Sequence, residues 1–189
     1  VACQWLRETS DWMTWIPDRA SCIAGQGAVD EHVKFVIAVD NATGVAAILE
    51  FAKRFSEVET DRSIMFLAVT LEESGLLGSE YFAKYPPFDL SNIVAGFNYD
   101  AILPTGLTND MIVVGYGASE LEDLLEDELS KSGRYVNPDP NPEKGYFYRS
   151  DHISFAKRGV PVLYSSGGFD LVDGGREKGF LIAEQYQIE

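Results

Sequence analysis

A nearly continuous apolar run, "SIMFLAVT" at residues 63–70, constrains the fold more than any other feature of the sequence. A strand that is apolar on both sides must be covered on both faces, which is typical of a parallel sheet flanked by helices. The run is followed at once by two adjacent carboxylates, Glu72 and Glu73, and a helical pattern begins at residue 76. Two like charges where a buried strand reaches the surface need a physical reason.

Strand and helix patterns alternate along most of the chain. Residues 32–39 form a β-branched apolar run, and residues 41–55 carry apolar residues at helical spacing. Further strands are predicted at 63–70, 92–99, 111–117 and 160–166, and further helices at 76–85, 120–133 and 150–159. The alternation predicts an α/β domain, a three-layer sandwich around a mainly parallel mixed sheet.

Two segments do not follow this alternation. Residues 1–31 contain all three tryptophans without a period and stay unassigned, so the folded domain is predicted over residues 32–189. Residues 134–149 are rich in proline and asparagine and are predicted to form a long loop. Loops of that length are usually functional or disordered.

Composition narrows the class of partner. The 30 acidic and 15 basic residues give a net charge of −15, which disfavours nucleic acid and anionic membranes. No apolar run approaches the ~20 residues of a membrane-spanning helix. Residues 1–22 carry charges throughout and are not expected to form a signal peptide. Cys3 and Cys22 leave open the choice between one disulfide and two free thiols.

The predicted strand ends supply a reason for the glutamate pair. In open α/β sheets, ligands bind outside the carboxyl ends of the strands. Strands lead to Asp40, to Glu72 and Glu73, and to Asp100, and His152 precedes the last strand. Because gathered carboxylates repel one another unless a cation neutralises them, this set suits zinc or a similar divalent ion. One glutamate would then bind the metal while its neighbour takes a proton from an activated water.

Each of these residues also has a purely structural interpretation. Asp40 would cap the helix that begins at residue 41, and Glu72 and Glu73 would be solvated acids favoured by a helix dipole. Asp100 would be a turn residue after its strand, and His152 either a residue at the start of a helix or a surface residue. The residue patterns leave both interpretations open and do not select a substrate.

Four motifs stand in the chain in a fixed order. They are "AVDNATGVAAILE" (38–50), "RSIMFLAVTLEESGLLGSEYFA" (62–83), "NYD" (98–100) and "YRSDHISFAKRGVPVLYSSGG" (148–168). Together they resemble the zinc-dependent aminopeptidases of the co-catalytic exopeptidase type, which share their fold with glutaminyl cyclases. The resemblance covers residues 38–175 and makes residues 32–189 the expected catalytic domain.

The resemblance implies a metallopeptidase that removes amino-terminal residues from peptide substrates. It implies that Asp40 bridges two zinc ions, that Glu73 and His152 bind one of them, and that Asp100 binds the other. Glu72 is implied as the general base. Many members of the family are exported, which favours a secreted or periplasmic location, and the oligomeric state is left undetermined.

The sequence departs from the family at one zinc ligand. In the family a histidine from a His-x-Asp motif, well before the "VDNATG" segment, also binds the second zinc, and no such motif occurs here. The only histidine before Asp40 is His32, which valine and lysine follow. Three explanations of the missing motif are open. The chain is a piece of a longer protein, its amino-terminal segment has been altered, or its site has changed to bind a single zinc. We expect one zinc to bind firmly through Asp40, Glu73 and His152, and a second to bind weakly or not at all.

Three functions follow from these observations. The first is an aminopeptidase, the second a single-zinc acyltransferase similar to glutaminyl cyclases, and the third an inactive or fragmentary α/β binding module. The missing histidine favours the third, whereas the intact acidic residues disfavour it. Tyr146, Phe147 and Tyr148 are close in sequence to His152 and are expected to form a wall for the substrate side chain.

Overall fold

The computed structural model describes residues 3–5, 41–102 and 106–188. The helices and strands follow in this order: β1 (Cys3–Trp5), α1 (Ala42–Ser56), β2 (Phe66–Ala68), α2 (Leu77–Lys84), β3 (Gly96–Asn98), β4 (Asp110–Val114), α3 (Leu121–Ser130), β5 (Tyr135–Pro138), α4 (His152–Ala156), β6 (Val162–Gly167) and α5 (Gly175–Ile188). Short 3-10 turns occupy Leu90–Asn92, Pro142–Lys144 and Tyr146–Tyr148. Within these ranges, none of the helices combines the length and the apolar character needed to cross a lipid bilayer.

Four strands form a mixed sheet in the order β3-β6-β4-β5. β3 runs parallel to β6, and β4 runs parallel to β5, whereas β4 and β6 are antiparallel. Two of the three pairings are therefore parallel. The prediction of an α/β domain around a mainly parallel mixed sheet is confirmed.

The strand before the glutamate pair is shorter than its apolar run predicts. Only Phe66–Ala68 form a strand, and β2 pairs antiparallel with β1 in a separate two-stranded sheet, with Cys3 opposite Ala68. All three residues of β2 are half-buried instead of fully covered. The strand predicted at residues 32–39 lies outside the described residues.

The segment 134–149 contains more structure than the predicted loop. Tyr135–Pro138 form β5, which pairs with β4 so that Val113 lies opposite Pro138. Because β5 lies at the edge of the sheet, the missing N–H of Pro138 leaves no partner strand unsatisfied. The rest of the segment includes two 3-10 turns, and the second of them contains the aromatic residues of the expected wall.

Buried apolar residues join the sheet to α2 and α4. Residues that are 5% exposed or less include Val113, Ile112, Leu163, Ile153, Ala83 and Phe82. The ring centroids of Phe82 in α2 and Phe155 in α4 are 5.9 Å apart. The hydroxyls of Ser79 and Ser154 form a buried hydrogen bond of 3.0 Å between the same helices. These contacts fix the helix that follows the glutamate pair against the helix that begins at His152.

Candidate active site

A tight turn leads from β2 to α2 and carries the two glutamates. The backbone N–H groups of Gly75 and Leu76 donate to the carbonyl oxygen of Glu72 at 2.9 and 2.8 Å. Leu71 and Leu76 have φ angles of 60° and 61°, in the left-handed region that non-glycine residues rarely adopt. Such backbone conformations cluster at functional sites. Glu72 is half-buried and Glu73 is exposed, so the two neighbouring carboxylates occupy different environments.

The start of α1 contacts the segment that ends at Asp100. Asn41 caps α1, because its side-chain oxygen accepts a hydrogen bond from the Gly44 N–H at 2.9 Å. The same side chain donates through its amide nitrogen to the carbonyl oxygen of Tyr99 at 3.0 Å. Asn41 therefore occupies the capping position that the structural interpretation gave to Asp40, and Asp40 itself lies outside the described residues. Asn41, the residue after Asp40, lies beside Tyr99, the residue before Asp100.

Asp100 is linked to the residues before α4 by a pair of side-chain hydrogen bonds. The hydroxyl of Ser150 donates to Oδ2 of Asp100 at 2.6 Å, and the amide nitrogen of Asn98 donates to the Ser150 oxygen at 2.8 Å. Ser150 is 2% exposed and Asp100 is half-buried. Ala101, directly after Asp100, adopts a φ angle of 46°. The end of β3 and the start of α4 thus meet at these side chains.

His152 lies in an aromatic setting inside the protein. It is 3% exposed, and its ring centroid lies 4.9 Å from the centroids of both Phe147 and Tyr164. The interpretation of His152 as a surface residue is therefore wrong, whereas its position at the start of a helix is confirmed, because α4 begins at His152. Burial lowers the pKa of the imidazole to about 4, so the ring is neutral near pH 7. The Phe147 backbone acts against burial on this pKa, but neither ring nitrogen has a well-formed hydrogen bond within the described part of the chain. A buried, neutral imidazole with unpartnered nitrogens suits metal ligation.

Asp151 shares this environment, although the sequence assigned it no role. The pKa of the Asp151 carboxyl is raised to about 6, chiefly by burial. A hydrogen bond with the Ser79 side chain lowers this pKa, and the negative charge of Asp100 raises it. Its Oδ1 atom is buried without a partner among the residues described. Asp151 therefore connects the first turn of α2, the end of β3 and the start of α4.

Asp151 and His152 have opposite effects on the pH dependence of stability. Because the pKa of His152 is lowered from 6.5 to about 4, its contribution is present above pH 6.5 and is lost as the pH falls toward 4. Because the pKa of Asp151 is raised from 3.8 to about 6, the folded state gains stability over nearly the same fall in pH. In chelator-treated protein the two effects largely cancel.

We expect Asp151→Asn to reveal the histidine effect. The free energy of unfolding of the chelator-treated variant should fall by roughly 3 kcal/mol between pH 6.5 and pH 4, and that of the wild type by much less. Urea unfolding monitored by tryptophan fluorescence across this pH range measures the difference. Parallel pH profiles of the two proteins would contradict the assignment.

The described residues complete neither of the expected zinc ligand sets. No three histidine, cysteine or acidic side chains in ranges 41–102 and 106–188 lie close enough together to hold a metal ion. Both sets require Asp40, which lies outside the described residues, as do His32 and Cys22. His152 fits a zinc ligand by its chemistry, and the ligand sets stay predictions.

The aromatic residues of segment 134–149 differ in position. Phe147 contacts His152 directly, and Tyr148 is 69% exposed and packs edge-on against Phe147 at a centroid distance of 5.4 Å. Tyr146 is half-buried. Of the three residues, Phe147 is the one placed against the candidate site.

The fold and the motifs have counterparts among known proteins. The chain is 26% identical over 133 residues to leucine aminopeptidase 2 of Trichophyton equinum, a match that covers 65% of this chain and 26% of that protein. The structure resembles the aminopeptidase from Aneurinibacillus sp. strain AM-1, with a TM-score of 0.54 and 24% identity over 77% of this chain and 37% of that one. It also resembles the LapA aminopeptidase of Legionella pneumophila, with a TM-score of 0.55 and 22% identity over 68% of this chain and 36% of that one.

These matches support different conclusions about the fold and the family. At identities below 25% the solved structures show the fold alone, and the chain spans about a quarter of the length of the leucine aminopeptidase that it matches. The model of peptidase family M28 matches residues 28–180, which is more than half of the 189 residues. The resemblance deduced from the four motifs is confirmed, and the chain belongs to peptidase family M28.

Proposed function

We propose that this chain acts as a zinc-dependent aminopeptidase. The observation that carries the proposal is the meeting of three elements at one place: the helix after Glu72 and Glu73, the strand end that leads to Asp100, and the helix that begins at His152. Family membership supports peptide hydrolysis with a metal. The buried ring nitrogens of His152, which lack a well-formed hydrogen bond, support zinc as that metal.

The proposed ligand roles follow the motif order. Asp40 would bridge two zinc positions, Glu73 and His152 would bind at one, and Asp100 would bind at the other. When bound, zinc supplies Lewis acidity toward the scissile carbonyl and lowers the pKa of water.

Glu72 would carry the proton in the proposed reaction. Its carboxylate takes a proton from the attacking water, the water oxygen bonds to the carbonyl carbon, and the proton passes to the amine as the C–N bond breaks. The half-buried position of Glu72 keeps the carboxylate partly shielded from bulk water, whereas exposed Glu73 is open to a cation. Asp100 would face the free amino terminus of the substrate, and Phe147 its first side chain.

Aminoacyl-nitroanilide hydrolysis tests this function directly. We expect zinc-loaded full-length chain to release nitroaniline from aminoacyl substrates and to leave amino-terminally acetylated substrates intact. A panel of glutaminyl peptides assayed beside them tests cyclisation. Turnover of glutaminyl peptides alone would favour the cyclase-like acyltransferase, and turnover of neither substrate would favour the binding module.

We expect metal analysis to find one zinc ion retained per chain after extensive dialysis. One position keeps three protein ligands, whereas the other lacks the histidine of the His-x-Asp motif and holds its ion weakly or not at all. Elemental analysis against protein concentration measures the ratio. Glu73→Gln should lose the retained ion, and two tightly held ions in the wild type would contradict the expectation.

A further inference from the structure

We propose that Ser150 is a positioning residue that orients the carboxylate of Asp100 toward a bound divalent cation. The inference rests on the proposed function, which places Asp100 at the weaker zinc position. Neither the motifs nor the expected ligand sets assign a role to Ser150. Its position in the structure, 2% exposed and between two polar side chains, supplies one.

The direction of each hydrogen bond in this chain of side chains is fixed. An ionised carboxylate only accepts, so the single hydroxyl proton of Ser150 points to Oδ2 of Asp100. The Asn98 amide donates to the Ser150 oxygen from the other side at 2.8 Å and opposes rotation of that hydroxyl. Because Ser150 is buried, bulk water does not compete for either bond.

This arrangement leaves one oxygen of Asp100 for a ligand. Oδ2 accepts from Ser150 at 2.6 Å, a length typical of a charge-assisted bond. No other hydrogen bond to Asp100 arises within the described ranges, so Oδ1 is the oxygen available to a cation. Partners that fix ligating carboxylates are typically worth 10–100-fold in metal affinity.

A cobalt(II) titration of the metal-free full-length chain tests the proposal, because the visible absorbance of cobalt reports on each bound equivalent. We expect Ser150→Ala to lower the affinity for the second, more weakly bound equivalent of cobalt 10–100-fold and to leave the affinity for the first equivalent unchanged. Ser154→Ala is the matched control, since Ser154 is also 2% exposed and its hydroxyl bonds to Ser79 instead of a carboxylate. We expect that variant to bind both equivalents as the wild type does.

Asn98→Leu provides a graded comparison. It removes the donor to Ser150 but leaves the serine hydroxyl able to reach Asp100. We therefore expect a smaller loss of affinity for the second cobalt equivalent than Ser150→Ala causes. Urea unfolding of the metal-free proteins should show similar midpoints for the two serine variants. That result would exclude a general loss of folding as the cause of weaker cobalt binding.

The possible outcomes separate this proposal from the proposed function. If wild type binds two equivalents and Ser150→Ala matches it, or if Ser154→Ala weakens binding equally, the role of Ser150 is overturned while the aminopeptidase proposal stands. A wild-type chain that binds one equivalent and hydrolyses aminoacyl substrates likewise overturns the role of Ser150 alone. Absence of both metal binding and hydrolysis in the wild type overturns both proposals.

Discussion

Glu72→Gln should abolish aminoacyl-nitroanilide hydrolysis while zinc stays bound. Glutamine keeps the shape of the side chain but has no carboxylate to accept a proton from water, and a positioned general base typically contributes 10²–10⁴-fold in rate. We therefore expect kcat to fall by roughly 10³-fold with little change in KM. Steady-state kinetics and elemental analysis of the same preparation measure both effects.

Two further carboxylates provide the controls for this substitution. Glu73→Gln should lose the firmly held zinc together with activity, because Glu73 is the proposed ligand. Glu126→Gln, at an exposed position on α3, should change neither zinc content nor kcat. Unchanged turnover in Glu72→Gln would remove Glu72 from the mechanism.

The spacing of apolar residues along the sequence predicted the elements that carry such a signal within their own residues. The strand predicted at 111–117 corresponds to β4, which is a continuous apolar run, and the helix predicted at 120–133 corresponds to α3, where apolar residues recur at helical spacing. β5 could not be predicted in this way, because "YVNP" has no alternation and contains a proline that only an edge position tolerates. The pairing of β2 with β1 joins residues more than 60 positions apart, and no local pattern encodes it.

Some residues of the candidate site could likewise be predicted from local sequence, and others could not. Strand ends pointed to Glu72, Glu73 and Asp100, because the direction of a chain leaving a sheet can be deduced from sequence. The hydrogen bonds of Ser150 could not be deduced, since serines occur in any environment and only the fold shows which ones are buried. The left-handed backbone conformation of Leu71 and Ala101 could not be predicted from the sequence either, because neither leucine nor alanine favours it.

A loop between β4 and α3 supports the aromatic contact to His152. The carboxylate of Glu122 accepts hydrogen bonds from the backbone N–H groups of Gly117, Ala118 and Ser119 at 2.6, 3.0 and 3.2 Å. Gly115, at the start of this loop, has a φ angle of 79° and lies directly against the ring of Phe147. A side chain at Gly115 would therefore meet the residue that packs on His152.

Gly115→Ala should strongly destabilise the protein near the candidate site. A methyl group there would overlap the Phe147 ring, and the positive φ would add backbone strain. We expect the free energy of unfolding to fall by about 3 kcal/mol. Because Phe147 must move away from His152 to relieve the overlap, aminoacyl-nitroanilide hydrolysis should also fall. Urea unfolding and steady-state kinetics measure the two losses.

Gly117→Ala separates backbone strain from the overlap. Gly117 has a φ angle of 93°, yet a methyl group added there would meet no atom within 4 Å in the structure. This variant should lose only about 1 kcal/mol of unfolding free energy, from the left-handed backbone alone, and should keep its activity. The difference between the two variants measures the cost of displacing Phe147. If both variants lose the same stability and keep the same kcat, the ring of Phe147 moves freely and does not hold His152 in place.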